Sequence, residues 1–310
     1  MPAPQNLIHL TDPDDPRVLA YRNQSDQWLR ARHRAWMSDV EPAADATATG
    51  IDPAVDPTGD LFMAEGDKVV AQLVASPHRV VSALVSDHRL ESAAPALAGI
   101  EPATPVYVMP AETVEQLAGF NMHRGVMALG QRVDPGPIEP LLARAACCVI
   151  LEQLANHDNV GAIFRNVRAL CPPREGYELP AVVLLSPRCC DPLYRKALRV
   201  SMGNALHVPF ATLEPWPEAL EAVVSAGFEP IAMHPSEDSE PIESVRSSRP
   251  AIIMGAEGPG LSRRALEAIS RLGGRSVRIP INDEADSVNV GVAAAVGIHR
   301  LCPWLCAESR

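Results

Sequence analysis

From residue 145 to residue 301 the chain alternates short apolar runs with longer segments of helical period, and no other feature restricts its fold as much. Runs rich in Val, Ile, Leu and Ala lie at 147–151, 181–185, 206–209, 228–233, 251–254 and 276–279, each short enough for a strand and bounded by turn-forming residues. Helical patterns cover 160–170, 192–200, 217–226, 262–271 and 288–301, between or after those runs. Strands that alternate with helices pair in parallel through crossovers, which cover both faces of the sheet. The expectation is an α/β domain with a mostly parallel sheet, helices on both faces, and ligands gathered at the carboxyl ends of the strands.

The first half is less regular. Residues 67–75 read as a helix, 80–86 and 106–108 as strands, 111–118 as a helix and 125–130 as a strand, which makes a smaller α/β module. No nucleophile stands at the spacing of its base there and no loop is built to cradle phosphate, so binding is expected of it rather than chemistry. A polar, proline-bearing stretch over 39–60 sets off an N-terminal helical arm. The clearest boundary is Asp134-Pro-Gly-Pro-Ile-Glu-Pro140, where three prolines and a glycine favour an extended connector. The chain is therefore divided into 1–133, a linker at 134–140, and 141–310.

Composition narrows the function. With 310 residues, 47% hydrophobic and 21% charged, the chain has enough apolar surface for two cores and is neither a disordered nor a membrane-embedded sequence. It opens without a basic start and apolar run, and no stretch reaches the length of a bilayer span, so a soluble, cytoplasmic protein with no membrane partner is expected. The seven cysteines are odd in number and two pairs are immediate neighbours, which points to reduced thiols. Cys302 and Cys306 can share a helix face, but without a second ligand pair no metal is assigned. A formal net charge of -11 counts against indiscriminate adhesion to nucleic acid and does not exclude local contacts. Basic residues gather at Arg30, Arg32, His33 and Arg34, and again at Arg188, Arg195, Lys196 and Arg199; a solvated helix face explains each cluster at least as well. His123-Arg124-Gly125 is either a phosphate contact or simply a loop entering a strand.

Three segments carry chemistry. Ile252-Ile-Met-Gly-Ala-Glu-Gly-Pro-Gly-Leu-Ser262 is a buried strand that breaks into three glycines before a serine able to cap the next helix. Such a loop brings bare backbone close to a ligand, although a tight turn without one explains Gly258 and Gly260 about as well. Glu257 is harder to dismiss, because a carboxylate inside a glycine turn adds nothing to packing. Arg278-Ile-Pro-Ile-Asn-Asp-Glu-Ala-Asp-Ser-Val-Asn-Val-Gly-Val-Ala-Ala-Ala-Val296 is a strand end, an acidic loop and a small-residue helix, with Ser287 or Asn289 placed either to cap that helix or to serve a site. Asn156-His-Asp-Asn-Val-Gly-Ala-Ile-Phe-Arg-Asn-Val-Arg168 puts a polar turn before an amphipathic helix on which Arg165 and Arg168 share a face; a solvent-facing basic helix is the usual account of such a pair, and His157 reads as a turn residue.

Taken together, in this order, the three segments resemble the SpoU (TrmH-like) branch of the SPOUT, or trefoil-knot, RNA methyltransferases. Asn159-Val-Gly-Ala-Ile-Phe-Arg165 looks like the first family motif, Met254-Gly-Ala-Glu-Gly-Pro-Gly-Leu-Ser262 the second, and Ile279-Pro with Ser287-Val-Asn-Val-Gly-Val-Ala-Ala-Ala the third. The linking segment from Asp191 to Gly203 is also similar, and Met63-Ala-Glu-Gly-Asp-Lys68 with 80–86 is similar to the start of the family's ribosomal-protein-like RNA-binding domain. The resemblance implies a C-terminal trefoil knot, which general experience of unthreaded chains would not suggest. It also implies a homodimer with sites near the subunit interface. S-adenosylmethionine would be held by Gly255, Glu257, Gly260, Ile279, Ile281, Val288 and Asn289. Structured RNA, ribosomal RNA ahead of transfer RNA, would meet Arg30, Arg32, Arg34, Arg124 and Arg168.

The implied reaction is methyl transfer to a ribose 2′-hydroxyl, with Arg165, Glu257, Ser287, Asn289 and Asn159 as catalytic-site residues. A guanidinium stays charged at neutral pH and is a poor base, so Arg165 is read as an electrostatic stabiliser of the developing alkoxide, with phosphate or solvent taking the proton. Two departures stand out: a long connection over 171–180, and Val288 where leucine is common. The alternatives are a transfer-RNA enzyme, an RNA-binding or assembly factor that has lost catalysis, and a generic nucleotide-binding α/β enzyme.

Overall fold

The computed structural model describes residues 6–22, 61–118, 125–282, 284–285 and 287–302; the 39–60 stretch, Arg30, Arg32, Arg34 and Arg124 lie outside them. The chain divides into two compact units, 1–134 with 193–206, and 135–192 with 207–310. The boundary in the proline-rich segment does not foretell that a short piece of the second half, carrying helix α6 (Arg195–Val200), counts with the first unit.

The first unit is built on a five-stranded mixed sheet of order β1-β4-β3-β5-β2, from β1 (Leu7–His9), β2 (Leu61–Glu65), β3 (Arg79–Ser86), β4 (Val106–Met109) and β5 (Val126–Gln131). β1, β4 and β3 run parallel, while β5 is antiparallel to β3 and β2. Helices α1 (Asp67–Val74), α2 (Leu90–Leu97) and α3 (Ala111–Ala118) accompany it, and α2, β1 and β2 are not foreseen by periodicity alone. Its core includes Leu10, Val18, Leu84, Met109, Leu117 and Met127, and the buried phenol of Tyr21 is hydrogen-bonded to Ser82 at 2.7 Å.

The second unit holds seven strands, all parallel, in the order β10-β12-β9-β11-β6-β7-β8. They are β6 (Ala145–Leu151), β7 (Leu179–Leu185), β8 (Phe210–Thr212), β9 (Glu229–Met233), β10 (Glu240–Pro241), β11 (Pro250–Met254) and β12 (Arg275–Arg278). Every residue of β6 and β11 is buried, as central parallel strands covered on both faces must be. The helices are α4 (Ile138–Arg144), α5 (His157–Leu170), α7 (Leu220–Ser225), α8 (Arg263–Arg271) and α9 (Val290–Leu301).

Two expected boundaries move, each for a proline. Residues 204–207 form a 3-10 turn rather than a strand, and β8 begins at Phe210, because Pro209 has no N–H to give and joins the ladder only through its carbonyl, which accepts from Val183 N at 3.0 Å. The extended connector ends at Pro137, and Pro140 falls in the first turn of α4, where an N–H would lack an intrahelical acceptor anyway.

Arg249, just before β11, ties the lower edge of this sheet together. Its guanidinium donates to the carbonyls of Leu142 (2.6 Å) and Ala145 (2.9 Å) and to that of Ala226, and it lies over the rings of Phe228 and Tyr177. Tyr177 belongs to the long 171–180 connection, so one cation holds that loop, the end of α4 and the end of α7. Replacing it orphans carbonyls and removes ring contacts. Arg249→Ala is expected to lower unfolding stability by roughly 3 kcal/mol, with Arg249→Lys recovering less than half, as measured by urea denaturation.

Candidate active site

β9 lies between β11 and β12, so the loops leaving β11 and β12 stand on either side of its carboxyl end. They enclose a cavity of about 300 Å³. Met233, Met254, Val277, Ile279, Ile281 and Val288 give it apolar walls, while Gly255, Glu257, Gly260, Ser287 and Asn289 line its polar side. All the residues assigned to cofactor binding from sequence border this one space.

The glycine loop has a local cause. Gly260 N donates to Ala256 O at 2.9 Å, closing a turn that places Gly258 at φ +84° and Gly260 at φ +68°, a region open to glycine and costly for other residues. A Cβ on Gly255 would lie inside the van der Waals distance of the Gly260 and Leu261 backbone, so the turn closes this tightly only with glycine there. Ser262 then caps α8, its hydroxyl accepting from Ala265 N at 3.2 Å.

Asn289 is the capping residue of α9, accepting from Gly291 N at 2.9 Å and Val292 N at 3.3 Å; Ser287 is not. Its amide nitrogen does more. It donates to Asn159 Oδ1 at 2.9 Å and to Glu257 Oε1 at 3.0 Å, joining the first turn of α5, the glycine loop and the start of α9. A cap and a site residue are thus the same side chain. Asn159 is only 5% exposed and does not line the cavity, and its own amide nitrogen is a buried donor without a hydrogen-bond partner. The two helices approach closely because Gly291 leaves room for Ala162, and Asn166 Nδ2 donates to Gly291 O at 2.8 Å.

Arg165 stands apart from this cluster. On α5 the apolar stripe Val160, Ile163, Phe164 and Val167 is buried, whereas Arg165 and Arg168 are exposed, and neither arginine lines the cavity of its own chain. Of the expected RNA contacts, Arg168 is therefore a surface residue, and Arg30, Arg32, Arg34 and Arg124 are outside the described residues. His157, read as a turn residue, is the first residue of α5.

The family profile of the SpoU rRNA methylases matches residues 146–299, the span that holds this cavity. An uncharacterized tRNA/rRNA methyltransferase of Mycobacterium tuberculosis is 35% identical over 293 residues, covering 93% of this chain and 89% of the relative. The chain belongs to the SpoU family. Two solved structures share the fold: an AdoMet-bound rRNA methyltransferase of Sinorhizobium meliloti, with a TM-score of 0.68 and 18% identity over 97% of this chain and 99% of that one, and an RNA 2′-O ribose methyltransferase, with a TM-score of 0.63 and 20% identity over 94% and 97%.

Two parts of this SpoU site are absent from the sequence reading. Met233, His234 and Pro235 line the cavity, and the rule that ligands collect at strand ends would have pointed to them once β9 was placed centrally. Glu152, directly after β6, is 2% exposed and accepts from Trp216 Nε1 (2.7 Å), Ser262 N (2.8 Å) and Ser262 Oγ (2.6 Å), while its own N–H donates to Met254 O at 2.8 Å. A carboxylate closing an unbroken apolar run was the available signal. This buried side chain fixes the far end of the glycine loop. Glu152→Ala is expected to cost roughly 3 kcal/mol by leaving buried donors unpaired, and to speed hydrogen exchange at Gly260 and Ser262 ahead of the central strands.

Proposed function

We propose that the cavity binds S-adenosylmethionine and that the protein methylates a ribose 2′-hydroxyl of structured RNA, ribosomal RNA ahead of transfer RNA. The observation that carries this reading is the Asn159–Asn289–Glu257 chain of hydrogen bonds, which joins all three SpoU motif segments at the edge of one apolar cavity. The cavity fits the cofactor: apolar walls from Met233, Val277 and Ile281 suit an adenine ring, and the loop backbone around Gly255 and Gly260 suits its polar groups. When bound, S-adenosylmethionine supplies a methyl group already activated on a sulfonium. Gly255, Gly260, Ile279, Ile281 and Val288 would hold it, with Glu257, Ser287 and Asn289 ordering the loops around it. In this reading the backbone near these loops is threaded as the family's knot.

Arg165 is proposed to stabilise the oxygen anion that forms as the hydroxyl loses its proton to phosphate or solvent, because a guanidinium keeps its charge and cannot act as the base. Its exposure argues for a site completed by a second copy. Val292 and Val296, 54% and 37% exposed, stand four apart on one side of α9, and Val288, 39% exposed, lies just before its cap, so the three give an apolar patch that a homodimer would cover. Val288 is also a cavity residue, so a partner seated there stands at the cavity mouth and can present its Arg165. The unit of residues 1–134 is read as the RNA-holding part.

Isothermal titration with S-adenosylmethionine and tritium transfer to total RNA test the activity: binding without transfer to any RNA favours an assembly factor, and mapping of the modified position identifies the acceptor. Gly255→Ala is expected to abolish cofactor binding, and Arg165→Ala to abolish transfer with binding intact. Co-expressed, the two dead variants should recover about a quarter of wild-type activity, since half of randomly formed dimers carry one complete site. No recovery would place Arg165 on its own chain's cavity, and full activity of Arg165→Ala alone would remove its role.

A further inference from the structure

Three cysteines far apart in sequence meet in the core of the second unit. Cys147 is on β6, Cys171 caps the C-terminal end of α5, and Cys302 caps the C-terminal end of α9. Their sulfurs all lie within 4.8 Å of one another, and Cys302 Sγ is 3.5 Å from Cys147 Sγ. The three residues are 0%, 4% and 2% exposed. Nothing in the proposed methyl transfer uses them, because Asn159 and Asn289 occupy the opposite ends of the same two helices.

A buried cysteine often serves as a small apolar residue, and one or two here would call for no more. Convergence of three sulfurs is different. Three thiolates around one ion, at metal–sulfur bonds of roughly 2.3 Å, stand about 4 Å apart. The separations found, from 3.5 Å upward within 4.8 Å, need only small side-chain shifts to reach that figure. No histidine or carboxylate joins the group among the described residues, so the donor set is all-sulfur and three-coordinate. Zinc in such a place lacks its fourth ligand, whereas a soft monovalent ion is satisfied by three thiolates.

We propose that Cys147, Cys171 and Cys302 form a binding site for one thiophilic metal ion of the copper(I) class. Each thiol that enters as thiolate gives its proton to solvent, and no electron is transferred. The bound ion ties the ends of α5 and α9 to the central strand β6, stiffening the helix pair whose other ends meet at the Asn159–Asn289 contact.

The test uses the full chain, fully reduced and free of oxygen, titrated with copper(I) against a chromophoric copper(I) chelator. One tight equivalent per chain is expected, and X-ray absorption on the wild-type protein should show three sulfur neighbours at about 2.3 Å. Cys147→Ser with Cys302→Ser should weaken binding more than about 100-fold. A control carrying Cys148→Ala, Cys189→Ser, Cys190→Ser and Cys306→Ser should bind as wild type. Loading should raise the Tm of the wild type and the control by about 5 °C or more, and not that of the double variant. Two sulfur neighbours instead of three, unchanged affinity in the double variant, loss of binding in the control, or preference for zinc in a four-coordinate shell would each overturn the assignment.

Discussion

One amide side chain holds the site in register. Asn289 satisfies two otherwise unpaired N–H groups at the start of α9 through its oxygen, and through its nitrogen it reaches Asn159 on α5 and Glu257 in the glycine loop. Each of these is an ordinary hydrogen bond, worth about 1 kcal/mol net. Their importance is geometric. A helix start, a second helix and a strand-to-helix loop have independent backbones, and a single planar group with two donors and one acceptor fixes all three relative to each other. Substituting aspartate would keep the cap and lose the donors, while serine would keep the cap and lose the reach to Asn159 and Glu257. The cap and the site therefore constrain the residue in the same direction.

The loops so joined depend on the sheet beneath them. β11 is paired with β6 on one side and β9 on the other, and its carboxyl end continues straight into Gly255. Loop backbone leaving a buried strand has polar groups that must be paired. Here Glu152 N takes Met254 O, the carboxylate of Glu152 takes the N–H and hydroxyl of Ser262, and Gly260 N returns to Ala256 O. The loop is thus bonded at its beginning, middle and end, which leaves its inner edge facing the cavity instead of collapsing into it. Such prior ordering lowers the entropy a ligand has to overcome on binding.

Much of this was legible because it repeats at short range. Apolar runs separated by helical segments dictate a parallel sheet wherever they occur, and Gly255, Glu257, Gly260 and Asn289 sit at strand ends and helix starts, where spacing in sequence maps directly onto place in the fold. What stayed hidden depends on distant partners. Glu152 and Ser262 are 110 positions apart, and only the pairing of β6 with β11 brings them into contact. Cys147, Cys171 and Cys302 have no ligand spacing at all; they converge because β6 begins at the level where α5 and α9 end. The strand expected at 206–209 was displaced by Pro209, whose missing N–H outweighs a favourable apolar pattern. Arg165 was legible as a residue and not as a location, since a helix face says which side chains are exposed but not what will cover them.

That exposure bears on how an acidic chain can act on a polyanion. A net charge of -11 repels RNA at long range, so attraction must come from a few cations at the point of contact. Arg165 in water is worth little electrostatically, because solvent screens it as well as any phosphate or alkoxide would pair with it. Its charge becomes effective only where water is removed, and the same desolvation strengthens its hold on a developing anion far more than on a neutral hydroxyl. An arginine kept inside the cavity of each chain would bear the cost of burial at all times and would sit beside the Asn289-bonded carboxylate of Glu257, which would neutralise it. Held outside on α5, it has no ion-pair partner among the described residues, and on the proposed reading it is covered only when a partner surface and an RNA close over it. On the proposed reading, the separation between Arg165 and the cavity in one chain is therefore a condition for selective stabilisation of the transition state and not a defect of the site.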